Sequence, residues 1–171
     1  MKNVIKLVLA TGLLVSSLSA WTVEKHSYIG VMGKSGTISM DKDYKEAVGV
    51  LKWGVYSVYS SGLFLGFDFE GEYGKSKDMD DSNVAYFGAN LEVGYRVLEK
   101  YKLDIYAIGS AKKGAYENLG VYGFGYGVGV GKNLWNWGRI MVEYKKYSLT
   151  SDAGNSFDES NVGAGIVFFL R

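Results

Sequence analysis

The stretch Val121–Gly131 reads V-Y-G-F-G-Y-G-V-G-V-G. It alternates with period two. Tyr122, Phe124, Tyr126, Val128 and Val130 hold one phase, and Gly123, Gly125, Gly127, Gly129 and Gly131 hold the other. Successive side chains of a β-strand point to opposite faces, so one face here is bulky and apolar and the other is almost bare. A helix would scatter both sets around its circumference. The stretch is therefore a strand that offers apolar bulk to one medium and backbone to another.

The same alternation recurs on both sides of it. Strands are expected over His26–Lys34, Ala47–Val58, Leu63–Tyr73, Val84–Val97, Tyr101–Ala111, Val121–Gly131, Gly138–Tyr147 and Asn161–Leu170. Strand three is the cleanest, with Leu63, Leu65, Phe67 and Phe69 against Phe64, Asp68, Glu70 and Glu72. Eight strands of about 9–13 residues suit tilted crossings of a bilayer. Outside the N-terminal segment no run approaches the ~18 apolar residues of a helical span. The connectors Thr37–Glu46, Gly74–Asn83 and Leu149–Ser160 read as long and charged or polar. Tyr59–Gly62 and Leu98–Lys100 read as short, Lys132–Trp137 as fairly short and Lys112–Gly120 as intermediate. Alternating long and short connections are the pattern of external loops and periplasmic turns.

Composition agrees. The chain has 171 residues with 24 Gly, 14 Tyr, no Pro and no Cys, which favours long uninterrupted strands and excludes disulfides and thiolate sites. Residues 1–20 read as a secretory signal: Lys2 and Lys6, the apolar Val8–Val15, then Ser16, Ser17, Ser19 and Ala20. That leaves residues 21–171 as one barrel domain. The mature chain is nearly neutral, which gives no support for nucleic-acid binding, and no nucleic-acid partner is expected.

A soluble barrel with its apolar phase inward around a ligand is the rival. Alternating connectors, strands of matching length and an apolar-alternating final strand favour the apolar phase facing lipid. Trp53, Leu65, Phe67, Leu91, Ile105, Tyr122, Phe124, Tyr126, Val142 and Phe168 are then lipid-facing. The interior receives Lys52, Asp68, Glu70, Glu72, Asn90, Glu92, Arg96, Lys102, Asp104, Arg139, Glu143 and Lys145. Buried charges must be paired, so an internal ion-pair network is expected, with Lys52 near Asp68 and Glu70 and Arg96 near Asp104. Eight strands leave a lumen that side chains fill, so the network reads as a plug ahead of a narrow ion path. Two aromatic girdles are expected: Tyr59, Tyr95, Tyr101, Trp135 and Trp137 near the short turns, and Phe69, Tyr73, Phe87, Tyr122 and Tyr144 nearer the long loops.

With these patterns in hand, the chain resembles the small outer-membrane β-barrels, the OmpA/OmpX-like and porin-family or opacity-type proteins. The carriers are the signal segment, Leu91-Glu92-Val93-Gly94-Tyr95-Arg96, Met141-Val142-Glu143-Tyr144-Lys145 and the closing strand Val162–Leu170. The resemblance implies an all-β, eight-stranded antiparallel up-and-down transmembrane barrel in the outer membrane of a Gram-negative bacterium. It implies roles from envelope integrity to adhesion, no cofactor and no shared enzymatic activity. The partners it implies are outer-membrane lipid, lipopolysaccharide, a possible external surface ligand, and the barrel-assembly machinery through the C-terminal strand. The family's strand ends on an aromatic residue, whereas this chain ends Phe168, Phe169, Leu170, Arg171.

Enzymatic readings find little material. His26 is the single His and reads as a solvated rim residue, without the second His or Cys of a triad or zinc site. Asp41, Asp43, Glu46, Asp78, Asp80, Asp81, Asp152, Asp158 and Glu159 read as solvated loop carboxylates without EF-hand spacing. The glycines of Gly123–Gly131 lack the strand–turn–helix setting of a nucleotide loop.

Overall fold

A computed structural model describes residues 22–40, 42–76, 83–116 and 119–170. The signal segment, Trp21, Asp41, Asp78, Asp80, Asp81 and Arg171 lie outside the described residues. Eight strands follow one another: β1 (Thr22–Ser39), β2 (Asp43–Tyr59), β3 (Leu63–Ser76), β4 (Asn83–Leu98), β5 (Leu103–Tyr116), β6 (Leu119–Leu134), β7 (Gly138–Ser151) and β8 (Ser156–Leu170). Each pairs antiparallel with its neighbours, and β1 closes on β8 to complete an up-and-down barrel.

The register sets the tilt. Stepping between paired residues from Tyr28 passes Gly54, Asp68, Asn90, Ser110, Gly125, Tyr147 and Glu159 and returns to β1 at Ile38. The ten-residue stagger over eight strands tilts each strand by roughly 40° from the barrel axis.

The phases fall as the alternation requires. Trp53, Leu91, Ile105, Tyr122, Phe124, Tyr126, Val142 and Phe168 are exposed on the outside, and Leu65 and Phe67 are outward and half-buried among neighbours. Phe67, Phe69, Phe87 and Trp53 form one outward aromatic cluster with ring centres 4.9–5.7 Å apart. Gly127, Gly129 and Gly131 are buried inward, and Gly123 and Gly125 are half-buried. Their bareness is used: a Cβ on Gly129 would strike the Tyr106 ring, and one on Gly131 the Arg139 guanidinium. Gly62 closes the β2–β3 turn at φ +87°, with the Tyr95 ring packed against its α-carbon. An L-side chain is strained in that conformation.

Three expectations change. The stretches Thr37–Glu46 and Leu149–Ser160 are not long loops: β1 and β2 run on until only residues 40–42 join them, and only residues 152–155 join β7 to β8. The strands are 14–18 residues long. The cause is an inversion of pattern near the outer end. There Thr37, Ser39, Ser148 and Asp158 face outward, while Ile38, Val84, Val121, Leu149 and Phe157 face inward. This is the distribution of a barrel standing in water, and it hides the strand from a search for apolar-out alternation. Second, Glu46 and Glu159 are buried in the lumen at 3% and 0% exposure, because they lie on these extensions. Third, Tyr59 is buried, whereas Tyr95, Tyr101, Trp135 and Trp137 remain exposed around the lower rim.

Candidate functional site: the charged lumen

Inward positions of all eight strands build the lumen in tiers, starting from the end where β1 begins and β8 finishes. In the first tier Arg96 lies between Glu24 (Nη1–Oε2 3.1 Å) and Asp104 (Nε–Oδ1 2.8 Å). Arg139 also pairs with Asp104. Lys102, half-exposed at the mouth, reaches Glu24 at 2.7 Å. A layer of rings follows. The Arg139 guanidinium lies 4.8 Å from the Phe64 ring centre, 4.9 Å from Tyr56 and 5.5 Å from Tyr106. These are cation–π distances. His26 stacks on Phe169 at 4.0 Å between centroids, so it is half-buried on the inward face instead of a freely solvated rim group.

The middle tier is the densest. Lys52 Nζ lies 2.5 Å from Glu143, 3.2 Å from Asp68, 3.2 Å from Glu92 and 3.5 Å from Glu70. Lys145 contacts Glu70 at 2.5 Å and Glu143 at 3.1 Å. Neutral groups satisfy further lone pairs: Tyr28 donates to Asp68 (3.2 Å), Tyr106 to Glu143 (3.1 Å) and Asn90 to Asp68 (2.6 Å). The register explains the convergence, since Lys52 pairs with Glu70 on β3 and Gly54 pairs with Asp68. Gly127 and Gly129 of β6 leave the space that the Lys145 and Tyr106 side chains fill.

Above it Lys34 bridges Glu70 (2.6 Å) and Glu72 (2.7 Å), and Lys112 holds Glu159 at 2.6 Å. Lys112 also sits 4.0 Å and 4.3 Å from the ring centres of Tyr86 and Tyr147. The outer end is closed by an apolar lid of Ile38, Val84, Val121, Leu149 and Phe157.

All nine residues named from sequence as the charge network (Lys52, Asp68, Glu70, Glu92, Arg96, Asp104, Arg139, Glu143 and Lys145) line this interior, each at most 8% exposed. Sequence reasoning passed over Lys34, Lys112, Glu159 and Glu24. Lys34 was legible, because counting by twos from Ile29 and Val31 puts it on the inner phase. Lys112 and Glu159 lie one or two positions beyond the expected strand ends. Among the described residues the buried charges number six basic (Lys34, Lys52, Arg96, Lys112, Arg139, Lys145) and eight acidic (Glu46, Asp68, Glu70, Glu72, Glu92, Asp104, Glu143, Glu159). A carboxylate-rich interior disfavours anions.

Chemically the arrangement is a lock. Each cation is held by at least one carboxylate, most by two or more, and the carboxylates are shared between cations. Freeing one partner strands a buried charge, which costs about 3–5 kcal/mol. Among the described residues no three His, Asp or Glu side chains come together as metal ligands.

No family of known proteins matches the sequence, and no curated protein matches it. Solved structures do match in fold. Neisserial surface protein A, from Neisseria, aligns with a TM-score of 0.62 at 11% identity, covering 86% of this chain and 99% of that one. A designed transmembrane β-barrel aligns with a TM-score of 0.45 at 17% identity, over 87% of this chain and 99% of that one. The outer membrane protein OprG from Pseudomonas aeruginosa aligns at 0.43 and 10% identity, over 85% and 96%.

Proposed function

We propose that this eight-stranded transmembrane barrel, built on the fold of small outer-membrane proteins, is a closed structural element of the outer membrane of a Gram-negative bacterium. It conducts nothing and acts through its surface. The observation that carries the reading is the sealed lumen: three tiers of shared ion pairs, a layer of rings between the first two and an apolar lid across the outer end. An ion crossing it would have to break several buried pairs in succession and then carry its hydration through the apolar lid. The short connections between β1 and β2 and between β7 and β8 leave contacts with the surroundings on that side to strand faces and the rim more than to those two loops.

Planar-bilayer recording tests this. The folded barrel is expected to give no current steps in molar salt at either polarity, and Glu143→Gln or Arg139→Gln is expected to give none either. Reproducible steps from the wild type that change with Glu143→Gln would replace the structural reading with a gated channel.

A further inference from the structure

Acid and base are unequally divided among the tiers of the lumen. In the first tier Arg96 and Arg139 face Asp104 and the half-buried Glu24, so charge balances. The middle tier sets Lys52 and Lys145 against Asp68, Glu70, Glu92 and Glu143, and Tyr28, Tyr106 and Asn90 supply neutral donors for the excess. The outer tier has Lys34 and Lys112 against Glu46, Glu72 and Glu159, and Lys34 is shared with Glu70. At least one negative charge too many is buried there.

Glu46 carries that excess. It lies on the extension of β2 beyond the outward apolar belt, is buried, and its Oε2 has no hydrogen-bond partner among the described residues. In the register it pairs with Gly36 of β1, which pairs on its other side with Asn161 of β8. Gly36 offers no side chain, so Glu46 and Asn161 close over it: a Cβ there would lie 2.8 Å from the Asn161 Cβ and 3.1 Å from Glu46 Oε1. Glu46 thereby comes within hydrogen-bonding reach of Glu159, across the seam where β8 meets β1. The other charges that face it are Lys112 from β5 and Glu72 from β3. Both are engaged elsewhere. Lys112 bonds each Glu159 oxygen at 2.6 Å and sits over the Tyr86 and Tyr147 rings of β4 and β7. Glu72 accepts from Lys34 at 2.7 Å, and its Oε2, like Asn161 Oδ1, has no hydrogen-bond partner among the described residues.

We propose that Glu46 is a proton-binding site: at neutral pH its carboxyl keeps a proton and donates it to a Glu159 oxygen, clamping β2 to β8 across β1 at the outer end of the closing seam. Two carboxylates in one buried site cannot both stay ionised without a cation between them. Glu159 is the ionised member, because Lys112 and Asn161 (2.7 Å) both donate to it. Glu46 has no such donor, and protonation turns its orphan oxygen from an unsatisfied acceptor into a donor. Among the described residues no three carboxylates or histidines converge as metal ligands, so a proton is the cation that the site suits. When Glu46 ionises, the clamp becomes a repulsion. In the unfolded chain the same carboxyl is ionised at neutral pH. Folding therefore takes up a proton, and stability falls as pH rises. The clamp acts in a closed or a conducting barrel alike.

Infrared spectra of the folded barrel, in an ester-free detergent at neutral pH, read the proton directly. Wild type is expected to show the carbonyl stretch of a buried carboxylic acid. The band is expected to shift when glutamate carries heavy carbon in its side-chain carboxyl, and to stay in place when aspartate does. Glu46→Gln is expected to lose it. Glu159→Gln is expected to lose it as well, because Glu46 then ionises against Lys112. No acid band, a shift with labelled aspartate only, or a band that survives in either variant overturns the proposal. Urea titrations read the consequence. Raising the pH from neutral is expected to increase the unfolding constant of wild type by up to roughly tenfold per pH unit, and Glu46→Gln is expected to remove that slope. Equal slopes in the two proteins overturn the clamp. Each variant is first checked for the compact, heat-modifiable gel band of the folded barrel. If Glu46→Gln fails to give it, the label shift in wild type and the Glu159→Gln spectrum decide.

Discussion

Lys52 shows what a single residue does in this lumen. Its Nζ has four carboxylates within 3.5 Å and is completely buried. No apolar side chain can replace that charge without leaving Asp68, Glu92 and Glu143 with one less cation among them. Lys52→Met is therefore expected to destabilise the folded barrel by about 3–5 kcal/mol, read from the urea midpoint of tryptophan fluorescence in detergent. An unchanged midpoint would show that the pairs are not closed around Lys52. From sequence, Lys52 was legible because it sits between Leu51 and Trp53 on the opposite phase. Glu159 was not, because its neighbours Asp158 and Ser160 are polar and no apolar phase marks the strand.

At the scale of the element, β6 is the most one-sided strand of the barrel. Its inward glycines are occupied by neighbours: the Tyr106 ring lies over Gly129 and is itself stacked on Phe64 with centroids 5.2 Å apart. That ring also donates to Glu143, so it cannot turn aside. Gly129→Leu is expected to overpack the lumen by about 1–3 kcal/mol and lower the temperature at which the compact gel band is lost. Gly109→Ala on β5 is the contrasting case. Gly109 faces outward opposite Tyr126 with open space around it, and the change is expected to be neutral or slightly stabilising. If both substitutions cost the same, β6 is not closely covered from within. The alternation V-Y-G-F-G-Y-G-V-G-V-G was enough to orient this strand, whereas the ring covering each glycine belongs to strands far away in the chain.

For the whole molecule the decisive quantity is where the apolar surface meets the bilayer. Trp53 sits among Phe69 and Phe87 in the middle of the belt, while Trp135 is 78% exposed in the β6–β7 turn at the lower rim. In liposomes of lipid brominated near mid-chain, a variant keeping only Trp53 is expected to be quenched far more than one keeping only Trp135. Equal weak quenching of both would place the belt outside the hydrocarbon. Closure also belongs to this scale. β8 must meet β1 from Ser27↔Leu170 to Ser39↔Asp158, and the inward Phe169 anchors that seam on His26.

The sequence by itself determined the all-β class, the number and order of the strands, and the face each side chain takes within the belt. All of these follow from a period-two pattern that any strand facing lipid on one side must carry. The tertiary structure alone decided the rest. Strand length beyond the belt depends on pairing where both faces have lost the pattern. The identity of each ion pair depends on a ten-residue stagger that brings Lys52 to Glu143 and Lys112 to Glu159 across the lumen.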